Sequence, residues 1–376
     1  MGDDFIHDKK FSVTVRFILC LCWFYYVECH VVRDVEYREV LKALGCYGNV
    51  GGCFVYYCKK CNEYVFRNLG CNSRLCSCCG KRHADKWALS LSKRMFKVPH
   101  RHLVLSIASE LWPYLKNDRK LWKVYMDSAI DTLDDYLPKI IKQDIKVGAI
   151  VILHPFGKDM KFQPHLHLII TEGGFNEQNE FINKIFINAE GLASSWKYHV
   201  CKNLSKHGVP FNVTNWCFHN KRFYVWVHKD GRINNPKLIA RYIGRYVRHP
   251  AIANSRIDGF ANGIVKFHYE NHDKQIININ MTSDEFITNL IQHIPEKQFK
   301  MIRYYGAYSR RNRKTFKKHL QSSIEQTKLM IYGIELPEKI IYCTKCHTEL
   351  EFIIYQAKPP PKDKTKIINW IDNNNQ

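Results

Sequence analysis

The segment Gln163-Pro164-His165-Leu166-His167-Leu168-Ile169-Ile170 alternates like a β-strand and sets two imidazoles on one face. Successive strand side chains point to opposite faces, so His165 and His167 share a direction while Leu166 and Leu168 enter the other layer. Two adjacent imidazoles are half of a metal site, although a lone pair is as often simply half-buried. A second reactive set lies in Asn235-Pro236-Lys237-Leu238-Ile239-Ala240-Arg241-Tyr242-Ile243-Gly244-Arg245-Tyr246-Val247-Arg248. Asn235 is a good N-cap and Pro236 a good first helical residue, so a helix is expected over 236–248 with Tyr242 and Tyr246 one turn apart. Leu238, Tyr242 and Tyr246 in line are also what a buried stripe looks like. Together, a histidine pair and a tyrosine pair point to phosphodiester chemistry.

Breaking a phosphodiester with tyrosine takes a phenolate nucleophile, a cation on the scissile phosphate, and a scaffold that aligns the two. His165 and His167 can give neutral nitrogen ligands to Mg²⁺ or Mn²⁺, with a third protein ligand and waters completing the shell. If residues 147–153 and 165–171 pair as a hairpin, His154 falls across from His165, which makes it the preferred third ligand ahead of Gln163 or Glu172. A free tyrosine has a pKa of about 10, and a bound cation with Arg241, Arg245 and Arg248 nearby would help hold the phenolate and the DNA phosphate. Two tyrosines one turn apart could hold two strand ends in succession.

The cysteines form another pattern. Fifteen are present and eight crowd between Cys46 and Cys79, in CxxC-type spacings among charged neighbours. In a long basic chain this favours reduced thiolates on zinc and a cytoplasmic location over a disulfide framework. Cys58 and Cys61, followed by Cys76 and Cys79, have the two-knuckle spacing of one structural zinc site; Cys71 and Cys78 are alternative or neighbouring donors. Cys343 and Cys346 supply half a site, and no metal is assigned there.

The elements that must position these groups follow from hydrophobic periodicity. Strands are expected at 102–107, 146–153, 165–171, 222–228, 263–269 and 275–281, and helices at 34–44, 84–95, 111–117, 119–143, 176–206, 236–248 and 283–292. This irregular mixture implies an α+β fold on an antiparallel sheet, preceded by a small cysteine-rich zinc-binding domain. The organisation reads as a helical or mixed lead-in (1–45), a zinc-binding domain (46–95), a catalytic domain (96–310), and a basic segment with a CxxC and tail (311–376). The apolar run Phe17 to Val27 falls short of the about 20 residues a membrane helix needs, lacks a cleavage signal, and reads as a buried element. With 57 Lys and Arg against 35 acids, the net charge of +22 suits a nucleic-acid partner. Aromatics beside basic residues, as in Tyr304-Tyr305-Gly306-Ala307-Tyr308-Ser309-Arg310-Arg311, suit stacking on unpaired bases.

Taken in order, these pieces resemble the transposases of rolling-circle insertion sequences, two-tyrosine members of the HUH endonuclease superfamily with an N-terminal zinc-binding domain. The resemblance rests on Cys58-x2-Cys61, Cys71-Asn-Ser-Arg-Leu-Cys76-x2-Cys79 and Lys86-Trp87, then Val98-Pro99-His100-Arg101-His102 and Leu153-His154-Pro155-Phe156-Gly157. It continues through Pro164-His165-Leu166-His167, Gly173-Gly174, Tyr242-Ile243-Gly244-Arg245-Tyr246 and Ile302-Arg303-Tyr304-Tyr305-Gly306. Pro155 and Phe156 stand where the family usually has Thr and Trp, Gln163 where His is common, and Cys78 is extra. The resemblance implies an HUH domain that nicks single-stranded DNA at mobile-element ends and joins it to target DNA. The implied path runs through a 5′-phosphotyrosine, with the host replication machinery as a partner. A replication initiator or relaxase of the same superfamily, and a non-catalytic zinc-dependent DNA-binding protein, are the alternatives.

Overall fold

The computed structural model describes residues 13–46, 52–183, 187–227, 244, 251–271, 273–312, 315–316, 330–331, 334–335 and 341–356. At its centre is a five-stranded antiparallel sheet in the order β12-β4-β5-β3-β8, built from β3 (His100–Ser106), β4 (Gly148–Phe156), β5 (Phe162–Thr171), β8 (Val225–Val227) and β12 (Ile302–Gly306). β4 is a nearly continuous apolar run, and β5 alternates at first and is buried from Leu166 to Thr171, as expected of strands covered on both faces.

Alternation assigns the two faces. Leu103, Leu105, Val151, Leu153, Leu166, Leu168 and Ile170 point to one side. There they meet α5 (Leu121–Ile141), α6 (Ala189–Lys206) and α7 (Phe211–Asn220), through residues such as Trp122, Tyr125, Trp196 and Cys217. Burying each such Leu or Ile stabilises the fold by about 1.5–3 kcal/mol before entropy is counted. On the opposite side Ile150, Ile152 and Ile169 pack with Ala88, Leu91, Met95 and Phe96, at and beyond the end of α3 (Ser77–Ser92). α3 starts seven residues before the expected 84, with Cys76 at its N-cap position.

A second body joins the beginning of the chain to residues 251–294. β9 (Ile257–Ala261), β10 (Ile264–Glu270) and β11 (Ile276–Thr282) form an antiparallel sheet that leads into α8 (Ser283–Gln292). α8 begins with a capping box, Thr282 accepting from the Glu285 N–H at 3.1 Å. Val265, Phe267, Phe286, Ile287 and Leu290 bury against Ile18, Leu19 and Trp23 of α1 (Val15–Cys29) and Val40 of α2 (Asp34–Leu44). The lead-in therefore shares a core with residues far along the chain. Its apolar run is buried on one side only: Leu21, Phe24 and Tyr25 are exposed. No described helix is long and apolar enough to cross a membrane.

A third sheet, β15-β1-β2, pairs β1 (Cys53–Cys58) with β2 (Glu63–Asn68) and with β15 (Glu351–Gln356). Short ladders join β6 (Gly174–Phe175) to β7 (Phe181–Ile182), and β13 (Met330–Ile331) to β14 (Ile334–Glu335). The helix expected over 176–206 is thus confined to α6; its first part holds β7, and Asn179 takes a positive φ of 60° in the turn. α4 (Trp112–Asn117) begins with Pro113 in its first turn.

Candidate metal centres

The register of the central sheet builds the histidine site. His154 lies opposite His165 in the β4–β5 ladder, and Ile152 lies opposite His167. All three imidazoles therefore project from the sheet face that carries Ile150, Ile152 and Ile169, and their ligand nitrogens lie within 4.8 Å of one another. His154 Nδ1 and His165 Nε2 are 3.0 Å apart. That separation suits adjacent ligands of an octahedral ion with bonds of about 2.1 Å. Burial lowers the pKa of His165, and lowers His154 and His167 further because each also faces neighbouring histidines. They are neutral at physiological pH, the form that binds a cation.

The outer contacts orient these rings. The Gln163 carbonyl sits 2.9 Å from His165 Nδ1, which as the N–H donor leaves Nε2 free for a metal. His102 Nε2 sits 3.0 Å from His167 Nδ1, so a proton on that Nδ1 leaves the other nitrogen of His167 for the metal. His293, pushed down to about 4 by burial, stacks on Phe156 at 3.8 Å and lies close enough to His154 to lower its pKa. The sequence reading missed His102 and His293. His102 has a signal, a second His-x-His at 100–102, but its role depends on β3 lying beside β5. Of the other candidate third ligands, Glu172 instead forms a buried ion pair with Arg101.

Tyr242, Tyr246, Arg241, Arg245 and Arg248 lie outside the described residues. Gly244, between the two tyrosines, is described: it is helical and buried, and a Cβ there would lie 3.3 Å from both the Ala84 carbonyl oxygen and the Ala88 Cβ of α3. Only a glycine allows so close an approach without displacement.

The four cysteines expected to share one ion are divided between two clusters. Cys76 and Cys79 gather with Cys46 and Cys71, while Cys58 and Cys61 gather with Cys343 and Cys346. The reason is the β1–β2 hairpin. Cys58 and Cys61 sit at its tip, Cys71 follows its base, and a strand of this length separates tip from base by about 17–20 Å. Of Cys78 only the backbone, in α3, is described. In the first cluster Cys46 Sγ lies 3.4 Å from Cys76 Sγ and 3.6 Å from Cys79 Sγ. Zn–S bonds of about 2.3 Å in a tetrahedron put sulfurs about 3.8 Å apart, so these distances fit a shared ion and exceed the about 2.05 Å of a disulfide.

Electrostatics favours the same reading. Hydrogen bonding from Cys71 first, and from Cys46 and Cys79, holds the Cys76 thiol down to about 4, while burial pushes Cys46 up to about 12. Cys76 takes the charge, while Cys46 and Cys71 keep their protons. A bound divalent cation removes that conflict and ionises all four. The cluster is anchored to α2, where Ser73 donates to the Glu39 carbonyl at 2.8 Å and Glu39 accepts from the Arg74 N–H at 3.1 Å.

Two family models match in tandem: "Transposase zinc-binding domain" over residues 18–107 and "Putative transposase" over residues 148–316. Over 308 residues the chain is 30% identical to the "Transposase for insertion sequence element IS801" of Pseudomonas savastanoi pv. phaseolicola, covering 77% of this chain and 74% of that one. The chain belongs to the IS91/IS801 transposase family. It is also 20% identical over 317 residues to "Putative transposase y4qJ" of Sinorhizobium fredii, spanning 76% of this transposase and 77% of that protein. No solved structure matches it. The second family model begins at Gly148, the first residue of β4, and contains the histidine trio and Gly244 of this transposase. The first contains the whole of the Cys46-Cys71-Cys76-Cys79 cluster together with Cys58 and Cys61, and supports structural zinc in this part of the chain.

Proposed function

We propose that this transposase nicks and rejoins single-stranded DNA at the ends of a mobile element through a 5′-phosphotyrosine, with Tyr242 and Tyr246 as nucleophiles. His154, His165 and His167 are the ligands of a catalytic Mg²⁺ or Mn²⁺, and Arg241, Arg245 and Arg248 contact the DNA phosphates. The observation that carries this reading is the convergence of three neutral imidazoles on one sheet face, in a chain of an insertion-sequence transposase family. A supporting one is the seat of Gly244 on α3, the helix whose Ala88 and Leu91 pack over Ile150, Ile152 and Ile169 of that same face.

In the first step the phenolate oxygen attacks phosphorus, the bond to the 3′ oxygen breaks, and the strand leaves as a 3′-oxyanion that takes a proton from water to give the 3′-hydroxyl. In the second, a 3′-hydroxyl attacks the phosphotyrosine, regenerates the phenol and restores a phosphodiester. Bound metal would supply charge stabilisation at the phosphate. The protein's part is to fix the imidazoles through Gln163 and His102, and to bring a polyanion to a chain of net charge +22. Strand transfer coupled to host replication and a cytoplasmic location belong to the same proposal.

The test is labelled single-stranded DNA carrying the element ends, incubated with protein and Mg²⁺ or EDTA and run on a denaturing gel. A metal-dependent covalent adduct that vanishes in the Tyr242→Phe, Tyr246→Phe double variant is expected. Cleavage that survives this double substitution would overturn the assignment; binding with no adduct would favour a non-catalytic DNA-binding role.

A further inference from the structure

We infer that this transposase carries a second structural zinc site, Cys58-Cys61-Cys343-Cys346, which clasps the C-terminal segment to the N-terminal zinc module. The first family match ends at residue 107 and the second at 316, so neither contains Cys343 or Cys346. Sequence spacing offers only half a site at 343–346, and the fold supplies the other half.

The geometry is that of a tetrathiolate. All four sulfurs lie within 4.8 Å of one another; Cys58 and Cys346 are 3.4 Å apart although 288 residues separate them, and Cys61 and Cys343 are 3.9 Å apart. These values bracket the about 3.8 Å edge of a zinc–sulfur tetrahedron and are far from disulfide contact. Each pair also sits in a tight turn. The Cys61 N–H points to Cys58 Sγ at 3.4 Å, and Asn62 takes a φ of 55°. The Cys343 N–H donates to the Thr348 carbonyl at 2.8 Å, the His347 N–H donates to the Cys343 carbonyl at 3.0 Å, and His347 has a φ of 55°. Thr348 holds the Cys346 thiol down to about 6, and the bond to Cys346 pushes Cys61 up to about 12, the same uneven sharing seen in the first cluster.

The surroundings show why a metal is needed there. Among the described residues the apolar cluster under this sheet has four buried members, Tyr56, Cys58, Cys343 and Leu350, and two of these are ligands. So small a core does not stabilise a fold by itself, and structural zinc is the usual supplement. Beyond the metal, β15 adds to the edge of β1, and the ion pairs Lys345–Glu63 at 2.7 Å and Lys59–Glu351 at 3.1 Å cross between the two segments. These surface pairs set register more than strength.

The test is the zinc content of the full-length, reduced protein, measured by mass spectrometry of the metal, alongside its cobalt(II) form, whose sulfur-to-metal absorption reports thiolate sites alone. Relative to wild type, Cys343→Ser, Cys346→Ser should lose about one zinc per chain and about half of the cobalt–thiolate absorption. Cys76→Ser, Cys79→Ser should lose a similar share, and combining the two pairs should remove nearly all of it. Limited proteolysis of the Cys343→Ser, Cys346→Ser variant should release the C-terminal segment faster than from wild type. Wild-type zinc content and absorption in that variant would overturn the proposal, as would a Cys58–Cys346 or Cys61–Cys343 disulfide in non-reduced protein. Should the variant fold poorly, alkylation of wild type decides. Cys58, Cys61, Cys343 and Cys346 should be protected together and become reactive together on chelation; reactivity in the zinc-loaded protein would sink the idea.

Discussion

The cysteine tetrads and the histidine trio both collect metal donors, in ways suited to opposite ends. Each tetrad fills a tetrahedron with sulfur, leaves no position for a substrate, and is built on turns: the hairpin tip at Cys58 and Cys61, and the start of α3 at Cys76 and Cys79. The trio offers three nitrogens, leaves positions open, and stands on two paired strands whose register is set by apolar neighbours on both sheet faces. Turns tolerate small displacements because the metal itself completes their fold, whereas an open site needs a frame that holds its shape before anything binds. α3 links the two kinds of centre. It begins at Cys76, a member of the first tetrad, and ends packed on the face that bears the histidines.

The largest effect expected from breaking this contrast is on the trio. His165→Ala removes a ligand from a half-buried position that supports little of the core, so the thermal midpoint and the zinc content should stay near wild type. Loss of several kcal/mol of charge stabilisation at the phosphate should lower the rate of adduct formation by about a thousandfold. Measured strand cleavage within tenfold of wild type would show that the trio is not the catalytic metal site. The Cys76→Ser, Cys79→Ser variant should give the reverse pattern, with lowered zinc content and thermal midpoint from the outset.

A smaller effect sharpens what the frame contributes. His102 is not itself a proposed ligand but faces His167 Nδ1 at 3.0 Å, so it decides which nitrogen of His167 is presented. His102→Ala should raise the Mn²⁺ concentration needed for half-maximal cleavage by about 10–100-fold, the usual cost of losing such a support. His102→Gln, which keeps an acceptor, should recover part of this. A variant that loses rate at saturating Mn²⁺ with an unchanged Mn²⁺ midpoint would assign His102 to packing alone.

Much of the frame was legible because local signals and tertiary packing agree. Asp34–Leu44 and Ser283–Gln292 carry clear helical periodicity, and the alternating or apolar runs at β3, β4, β5, β10 and β11 match expected strands within a few residues. The trio was legible too, since His154 opposes His165 once β4 and β5 form a hairpin. The division of the cysteines was not. CxxC spacing identifies a knuckle and says nothing of which other knuckle it meets, and here the answer depends on β15 returning to β1 from nearly 300 residues away. β1, β2 and α7 were missed because their patterns are short and mixed, and β12 because Ile302-Arg303-Tyr304-Tyr305-Gly306 reads as a motif before it reads as a strand. His102 was hidden for the same reason as the cysteine partners: it depends on strand order.

The smallest effect separates histidines kept neutral for packing from those kept neutral for metal. His100 is fully buried on β3, its Nε2 2.6 Å from the Tyr308 hydroxyl, which also accepts from the Phe96 N–H at 3.0 Å. Burial pushes the Tyr308 phenol up, so it keeps its proton and can donate it to a neutral His100. Burial likewise pushes His100 down to about 4, against about 6.5 in the unfolded chain. Between those values the unfolded chain binds the extra proton, so this contribution is complete above about pH 6.5 and is lost as pH falls toward 4. For this one group the loss between pH 7.5 and pH 6 is about 1 kcal/mol. His100→Gln should therefore show a shallower fall in thermal midpoint over that interval than wild type, with both proteins metal-free. Parallel curves would mean that His100 is charged in the folded protein, and that burial on this sheet face does not by itself hold imidazoles neutral. The trio would then owe its neutral state to bound metal, and the contrast with the tetrads would narrow.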